Sequence, residues 1–351
     1  MVKTILSGIY FLLWRCRLFL YEHKILPTKR VNAFVVSVGN LTVGGTGKTP
    51  VTLFLAQQYQ AKGSRVGIVS RGYRGRYKAP VVVVSDGQSV LEPPQIVGDE
   101  PVMMARRLNG VPIVVSRDRV LGCQWLIDHF KIDLILLDDG FQHIRLHRDL
   151  NILLMDATQT NYFLLPKGPM REPIFAAHRA NIVIVTRQDC ASPPFNMPEG
   201  SGFDSPILQT SFYPVGLMPL KGGASRPIST LSGEPIIAVC GIGNPSAFIK
   251  MLEQLGAKIY ETILFPDHHH YTEADMQGIG IKAKSLGAKT IITTEKDAIK
   301  IERIPAQMAP FEAVDIWALE IRISFLDPYE RWGNLLFGAA SMMPRTVDAA
   351  P

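Results

Sequence analysis

The sequence predicts an α/β protein with a doubly wound, mostly parallel sheet, a second and smaller α/β domain, and an amphipathic N-terminal helix. Apolar, β-branched runs alternate with segments of helical periodicity, and this alternation is typical of βαβ units. A glycine-rich loop at residues 42–49 lies between the first such run and the first such helix. The chain has 351 residues, which is enough for two hydrophobic cores.

The composition and charge exclude several classes of protein. Hydrophobic residues make up 47% of the chain and charged residues 19%, which disfavours disorder. The four cysteines form no CxxC pair, so they indicate a reducing, cytosolic setting and no cysteine zinc site. The net charge is +6, and residues 1–30 contain six Lys or Arg and one Glu. A charge concentrated at one end favours a membrane surface as partner rather than a nucleic acid.

Residues 1–28 are predicted to form an amphipathic helix at the membrane interface. The apolar run 5–14 is followed by Arg15 and Arg17, so it is shorter than the ~20 residues that span a bilayer. On a helical wheel one arc is apolar and comprises Ile5, Ile9, Leu12, Leu13, Cys16, Phe19 and Leu20. One alternative is a helix packed on the protein's own core; a cleaved signal peptide fits the arginines less well.

The first domain is expected at 29–205 and contains the larger sheet. Its strands are predicted at 33–38, 65–70, 80–85, 112–115, 132–137, 151–155 and 181–186, with helices at 51–60, 101–108 and 117–130. The run 132–137 is continuously apolar, as expected for a strand buried on both faces. Ligands of such sheets bind at the carboxyl ends of the strands, so we expect the site there.

A linker with short strands is expected at 206–234, where Gly and Pro recur, and the smaller α/β domain at 235–341. Strands of this domain are predicted at 236–240, 258–264, 290–293 and 314–323, with helices at 245–255, 272–286 and 327–337. Residues 342–351 are expected to form a frayed tail.

The strongest motif is a P-loop, which makes the first domain P-loop NTPase-type. It comprises Thr42, Val43, Gly44, Gly45, Thr46, Gly47, Lys48 and Thr49. Backbone N–H groups of such a loop cradle phosphates; Lys48 would reach the β and γ phosphates, and the Thr49 hydroxyl would hold Mg²⁺. Because Thr42 stands where a glycine is usual and resists positive φ, we expect the bend around Gly44 and Gly45.

Acidic residues follow two other predicted elements. Asp138 and Asp139 come directly after the run 132–137, where the Mg²⁺ partner of a P-loop is expected, although they could also be loop residues that cap a helix. Asp99 precedes Glu100 and Pro101 at the start of a helix. It is either a general base that accepts a proton from an attacking hydroxyl or an N-cap of that helix.

The proline-rich loop 165–173 contains Arg171, which could neutralise phosphate charge, and Glu172, which could help to hold Mg²⁺; a solvated turn is the alternative. Residues 268–270 are three histidines after Asp267. Adjacent histidines cannot converge on one zinc ion, so we favour an Asp–His arrangement that supports a base. The segment 293–297 is expected either to cover the nucleotide or only to cap the next helix.

Arginines gather near several predicted strand ends and could present cations to an anionic substrate, although a solvated loop is the alternative for residues 71–76. They are Arg71, Arg74, Arg76, Arg117, Arg119, Arg145 and Arg148.

In combination, these segments resemble the tetraacyldisaccharide 4′-kinase family of lipid A biosynthesis. The resemblance runs in order through residues 37–50, 70–73, 98–101, 138–143, 168–173, 265–269 and 294–297. It implies transfer of the ATP γ-phosphoryl group to the 4′-hydroxyl of tetraacyldisaccharide 1-phosphate, at the cytoplasmic face of a Gram-negative inner membrane. It also implies a smaller domain that closes on the nucleotide, with ATP and Mg²⁺ as cofactors and no obligate protein partner.

The resemblance also implies residue roles. Lys48 binds the phosphates, and Asp99 is the base, supported by a histidine that aligns best with His268 although His269 and His270 adjoin it. Metal binding is implied for Thr49, Asp138, Asp139, Gln142 and Glu172, and we assign acceptor binding to Arg71, Tyr73, Arg119 and His143. The alternative function is a membrane-recruited P-loop ATPase switch, but a switch needs no base for a hydroxyl group. A soluble metabolite kinase ranks third, because the N-terminal helix counts against it.

Overall fold

The computed structural model describes residues 1–191, 195–220, 223–304 and 314–341. The predicted tail at 342–351 lies outside the described residues. The strands are β1 (Phe34–Asn40), β2 (Val66–Ser70), β3 (Val82–Ser85), β4 (Ile113–Val115), β5 (Leu134–Asp138), β6 (Leu150–Asp156), β7 (Ile182–Thr186), β8 (Ile207–Pro219), β9 (Pro235–Cys240), β10 (Lys258–Leu264), β11 (Thr290–Thr294) and β12 (Asp315–Phe325). The helices are α1 (Val2–Glu22), α2 (Lys48–Ala61), α3 (Pro94–Val97), α4 (Asp99–Arg107), α5 (Arg119–Phe130), α6 (Pro245–Gln254), α7 (Glu273–Leu286), α8 (Glu295–Ile301) and α9 (Tyr329–Ser341).

The strands form one continuous sheet in the order β10-β9-β11-β12-β8-β7-β6-β1-β5-β2-β4-β3. Neighbouring strands are parallel except for β3 with β4 and β8 with β12. The α/β class and the mostly parallel sheet are therefore confirmed.

The central strands are buried on both faces because helices cover both sides of the sheet. Along β1, Val36 and Val38 belong to one apolar cluster and Val35 to another. Side chains of a strand alternate between its two faces, so the two clusters lie on opposite sides of the sheet. This arrangement explains why β5 contains only apolar residues before Asp138.

The two halves of the sheet meet along β8. Residues 207–209 of β8 pair in parallel with β7, and residues 210–219 pair antiparallel with β12. The segment expected as a linker thus contains a strand of 13 residues that hydrogen-bonds to both halves. Its alternation of buried and exposed residues is weak, and this is why the sequence did not reveal its length.

Helix α1 has 21 residues and, within the described chain, is the helix long and apolar enough to cross a membrane by length and composition. Trp14 and Leu18 are buried, and Trp14 packs edge-on against Phe175 with ring centroids 5.4 Å apart. The opposite side remains exposed and carries Ile5, Ile9, Leu12, Leu13, Cys16 and Phe19. The alternative in which the apolar arc packs on the protein's own core is therefore not what the structure contains.

Candidate active site

The P-loop is shaped by two glycines at positive φ. Gly44 has a φ of 109° and Gly47 a φ of 85°, and α2 begins directly after Gly47. The expected bend at Gly44 is present, whereas the second one falls at Gly47 rather than Gly45. Asn40 Nδ2 donates hydrogen bonds to the hydroxyls of Thr42 (3.3 Å) and Thr46 (2.8 Å), so Thr42 braces the loop from its leading position.

The loop is open to a ligand. Side-chain atoms built on Gly44 or Gly45 would meet nothing within 4 Å. Lys48 Nζ lies 3.8 Å from Asp139 Oδ1, and Thr49 is buried in the first turn of α2. Unpaired N–H groups at this helix start and the lysine together form an anion site of the size of a phosphate chain.

Asp138 and Asp139 end β5, but their environments differ. Asp138 accepts a hydrogen bond from Ser70 Oγ (2.9 Å), and its Oδ1 is buried without a hydrogen-bond partner. Burial, with the charges of Glu100 and Asp139, raises the pKa of Asp138 to about 7. An unpaired oxygen on a buried carboxyl beside two other carboxylates fits a cation.

Asp139 is held by a bidentate contact from Arg171, at 2.9 and 2.8 Å. Burial favours the neutral form, but Arg171 and Lys48 outweigh it and hold the pKa of Asp139 well below its usual range. Because Arg171 also donates to Asn40 Oδ1, one guanidinium joins the loop 165–173 to the strand that enters the P-loop.

Three of the residues expected at the metal, Asp138, Gln142 and Glu172, lie outside the lining of the cleft. Gln142 donates from Nε2 to the carbonyl oxygen of Asn40 (2.7 Å). Glu172 is buried and paired with Arg179, and burial raises its pKa although Arg179 opposes the rise. In the described residues no group of three or more His, Cys, Asp and Glu is arranged to hold a metal. Mg²⁺ usually needs only one or two carboxylates besides phosphate oxygens, and Asp138 and Asp139 place two carboxylates side by side at the end of β5.

The second half of the sheet forms the opposite wall of a cleft of about 610 Å³ over the P-loop. Gly243 approaches closely enough that a Cβ on it would lie 3.4 Å from the Gly45 nitrogen. The apolar part of this wall consists of Ile242, Ala247, Phe248, Met251, Leu319 and Ile321. The cleft thus has a polar floor for phosphates and an apolar side that suits a base or ring.

Asp99 does not line this cleft. Its Oδ1 accepts from Arg303 Nη2 at 2.5 Å, and its neighbour Glu100 lines the cleft instead, 3.2 Å from Lys296 Nζ. Helix α4 begins at Asp99 with Gly98 at the N-cap and no side-chain cap, so the capping alternative is not observed. Lys296 and Lys48 lower the pKa of Glu100 against the effect of burial, which raises it.

The three histidines point to different places. His268 lines the cleft, with Nε2 3.4 Å from Lys296 Nζ and 3.8 Å from Asp267 Oδ2, and burial followed by the Lys296 charge lowers its pKa. His269 pairs with Asp275 at 3.0 Å and stacks on Phe265. His270 is exposed. Only His268, of the three, can reach a ligand in the cleft.

The four residues assigned to the acceptor divide into two groups. Arg71 and Tyr73 line the cleft, and the Tyr73 ring lies 5.4 Å from that of His268. Arg119, which is buried, and His143, which is partly buried, lie outside its lining. Arg119 donates to the Ser116 carbonyl (2.9 Å), while burial and the charge of Arg119 lower the pKa of His143 to about 4.

Comparison with known proteins identifies the family. A family model described as tetraacyldisaccharide-1-P 4′-kinase matches residues 2–336. The chain belongs to this family. The tetraacyldisaccharide 4′-kinase of Syntrophus aciditrophicus is 43% identical over 294 residues, covering 80% of this chain and 79% of that protein. The one from Geobacter metallireducens is 37% identical over 327 residues, covering 93% and 94%. These matches confirm the resemblance found in the motifs.

A solved structure agrees with this result. The crystal structure of LpxK from Aquifex aeolicus in complex with ATP has a TM-score of 0.77 and 31% identity, and the match covers 97% of this chain and 99% of that one. The fold of this tetraacyldisaccharide 4′-kinase family member is thereby confirmed over nearly its whole length.

Sequence reasoning missed several residues of this kinase site. Glu100 is the neighbour of Asp99 in the sequence, and only its pairing with Lys296 shows that it belongs to the cleft. Arg187 Nη2 donates to the carbonyl oxygen of Gly45 (2.8 Å) and pairs with Asp156, while Phe212 packs on Gly47. The contacts of Arg187 with Gly45 and of Phe212 with Gly47 join residues more than 100 positions apart, so no local motif could have signalled them.

Proposed function

We propose that this chain transfers the γ-phosphoryl group of ATP to the 4′-hydroxyl of tetraacyldisaccharide 1-phosphate, which gives the 4′-phosphorylated lipid A precursor. The observation that carries the proposal is the cleft, in which an open P-loop with Lys48 faces Arg71, Tyr73 and His268. Membership of the 4′-kinase family supplies the acceptor and its position. The same membership favours a kinase over a membrane-recruited ATPase switch.

The phosphate end of the reaction is assigned to the P-loop wall. Backbone N–H groups of residues 42–49 and Lys48 bind the phosphates, and Arg171 adds positive charge while it holds Asp139 ionised. Thr49, Asp138 and Asp139 would hold Mg²⁺, with Gln142 and Glu172 around them. When bound, Mg²⁺ neutralises charge on the β- and γ-phosphate oxygens.

The acceptor hydroxyl needs a base. We assign this role to Asp99, with His268 in support, and the 4′-oxygen then attacks the γ-phosphorus while the bond to ADP breaks. In the structure described here Asp99 is paired with Arg303, so proton transfer requires this ion pair to open. Glu100 is the second candidate because it already lines the cleft beside Lys296.

Acceptor binding is assigned to the arginine-rich side of the cleft. Arg71 and Tyr73 are exposed at the lining, where a cation and an aromatic ring can contact the phosphorylated disaccharide of the acceptor. Arg119 is buried and His143 partly buried near the Asp138–Asp139 turn, so we propose that they affect the acceptor indirectly. The buried charge of Arg119 interacts with both aspartates, so its contribution would be to balance their charge.

The exposed apolar arc of α1 is proposed to bind the cytoplasmic face of the inner membrane of a Gram-negative cell. A lipid acceptor is dissolved in that membrane, and an apolar helix face with basic flanks partitions into its interface. We propose a peripheral or monotopic attachment, with a glycolipid substrate and with neither a nucleic acid nor an obligate protein partner.

The direct test is phosphorylation of purified tetraacyldisaccharide 1-phosphate in neutral-detergent micelles, with ATP and Mg²⁺. The expected result is an acceptor whose mass rises by one phosphoryl group and whose 4′-position becomes resistant to further reaction. An acceptor with a blocked 4′-hydroxyl is the matched control. ATP hydrolysis without any change in the acceptor would instead favour the ATPase switch.

A further inference from the structure

The side of α1 that faces the protein contacts the loops of the proposed active site. Tyr10 Oη donates a hydrogen bond to the carbonyl oxygen of Arg171 (2.7 Å). Arg17 Nη2 donates to the carbonyl oxygen of Gln142 (3.0 Å). Arg171 holds Asp139, and Gln142 ends the turn that begins with Asp138, so one helix contacts both segments that carry the charges of the site.

The first of these loops is itself joined to the P-loop. Arg171 N donates to the carbonyl oxygen of Leu41 (2.6 Å), and Val43 N donates to that of Pro169 (2.8 Å). Ser7 of α1 adds a third contact, because its hydroxyl donates to the Leu164 carbonyl oxygen at 3.0 Å. A displacement of α1 is therefore passed to the P-loop through the backbone of residues 164–171.

The second loop is joined in the same way. Gln142 donates from Nε2 to the Asn40 carbonyl oxygen, and Asn40 braces the hydroxyls of Thr42 and Thr46. Both routes from α1 thus end on the same phosphate-binding turn. Packing of Trp14 on Phe175, between the two contacts, and burial of Leu18 next to Arg17 fix the helix against the protein.

We infer that Tyr10 and Arg17 are positioning residues for phosphoryl transfer, and that α1 aligns the catalytic loops in addition to any attachment to the membrane. The effect on the reaction rests on the proposed function, whereas the alignment of the two loops by α1 does not. Loops held by backbone hydrogen bonds can keep Arg171 and Asp139 in a reactive geometry. Small displacements of such groups lower the rate of the reaction more than they weaken the binding of substrates.

The test compares α1 residues that hydrogen-bond to the two loops with α1 residues that do not. Tyr10→Phe and Arg17→Gln each remove one of the two hydrogen bonds, and the matched controls on the same helix are Arg15→Gln and Tyr21→Phe, which removes a hydroxyl but keeps the ring beside Arg17. Arg15 is exposed and pairs with Glu22. All variants are assayed as full-length chains in neutral-detergent micelles, where the acceptor is present without a bilayer and membrane attachment does not limit the rate.

We expect kcat to fall about 10-fold in Tyr10→Phe and in Arg17→Gln, with KM for ATP and the melting temperature close to those of the wild type. We also expect faster amide hydrogen exchange in residues 139–143 and 163–172 of these variants, and unchanged exchange there in the two controls. A purely structural role would lower the melting temperature and raise exchange throughout α1 instead.

Two results separate failure of the inference from failure of the proposed function. If the wild type transfers no phosphoryl group to the acceptor, the proposed function is wrong, and the exchange rates of the two loops still decide the inference. If the wild type is active and both inner-face variants match their controls in kcat and in loop exchange, then α1 does not align the site.

Discussion

The two walls of the cleft are held in place by different means. In the phosphate wall, which comprises residues 42–49, Asp138, Asp139 and Arg171, the P-loop and the two aspartates lie at the ends of β1 and β5, and Arg171 is joined to them by hydrogen bonds to Asp139 and Asn40. The facing wall comprises residues 241–244, His268 and Lys296; its turn follows β9, and Lys296 pairs with Glu100 of α4, which is distant in sequence. We therefore expect the facing wall, more than the phosphate wall, to depend on ion pairs between distant residues.

Helix α4, which packs against α2 after the P-loop, is joined to the facing wall by ion pairs. It pairs with α8 and the residues after it through Asp99–Arg303, Glu100–Lys296, Arg106–Glu302 and Arg107–Glu295. Two of these pairs engage the proposed base Asp99 and its neighbour Glu100. The position of the facing wall is therefore coupled to the Asp99–Arg303 ion pair. We expect substitutions in the two walls to have different effects.

The largest effect is expected on the phosphate wall, at Lys48. Lys48→Ala should lower kcat/KM by about 10³-fold, since the ammonium group stabilises charge that develops on the transferred phosphoryl group. The measurement is transfer to the acceptor, with melting temperature as a control for folding. Near-normal turnover by a folded Lys48→Ala protein would contradict the assignment of the P-loop.

The phosphate wall is the part of the site that the sequence predicted well. Lys48 and Thr49 follow a glycine turn, and Asp138 and Asp139 follow an apolar strand, so residue order alone places each group at a strand end. The same logic predicted β1, β5 and the helix after the P-loop. It did not reveal β8, because the burial of that strand alternates only weakly and its partners are β7 and β12, one of them more than 100 residues away.

The next effect concerns how the facing wall is held. Asp297 is fully buried, pairs with Lys300 at 2.9 Å, and accepts from Gly241 N at 2.8 Å, so it fixes the turn that lies over the P-loop. Asp297→Ala leaves the Lys300 charge buried and unpaired, and we expect the free energy of unfolding to fall by about 3 kcal/mol. Denaturant unfolding measures this change, with exposed Asp315→Ala as the control.

A small change in unfolding free energy for Asp297→Ala, equal to that of the control, would mean that solvent or another group satisfies Lys300. The turn at residues 241–244 would then owe its position to packing rather than to this ion pair. ATP affinity measured on the same variant distinguishes the two cases, because displacement of the turn at residues 241–244 would weaken its contact with the nucleotide and lower the affinity.

The third effect addresses the base, where the walls meet. Asp99→Asn keeps the shape of the side chain but cannot accept a proton, so we expect kcat to fall about 10²-fold. Glu100→Gln, its neighbour on the same helix, should affect kcat less if Asp99 is the base. The reverse order of the two rates would transfer the role to Glu100, with ATP affinity and melting temperature as controls for both variants.

Sequence reasoning was least informative here, for a physical reason. The motif at residues 98–101 marks a helix start with two adjacent carboxylates, and a helix turns by about 100° per residue, so the two point in different directions. Which one faces the ligand depends on how α4 sits against α8, and that is set by Arg303 and Lys296, some 200 residues later. The three histidines posed the same problem, and only the contacts of His269 with Asp275 and Phe265 separate it from His268.

The smallest effect compares two neighbouring ion pairs between the walls. The Arg106–Glu302 pair is exposed, with side-chain exposures of 44% and 37%, whereas Arg107 is 11% exposed and contacts both Glu295 (2.5 Å) and Glu320 (2.8 Å). An exposed pair gains little because water screens its charges and its side chains lose entropy. Arg106→Ala should therefore change the free energy of unfolding by about 0.5 kcal/mol.

Arg107→Ala serves as the comparison within the same helix, because it leaves two mostly buried carboxylates without their shared partner and should cost more than Arg106→Ala. Urea unfolding of the two single variants at low and high salt makes the distinction, since only the exposed pair should lose its contribution as salt rises. Equal losses that respond equally to salt would mean that the walls are joined by general charge complementarity. Unequal losses would place the main connection at Arg107, which contacts Glu295 of α8 and Glu320 of β12.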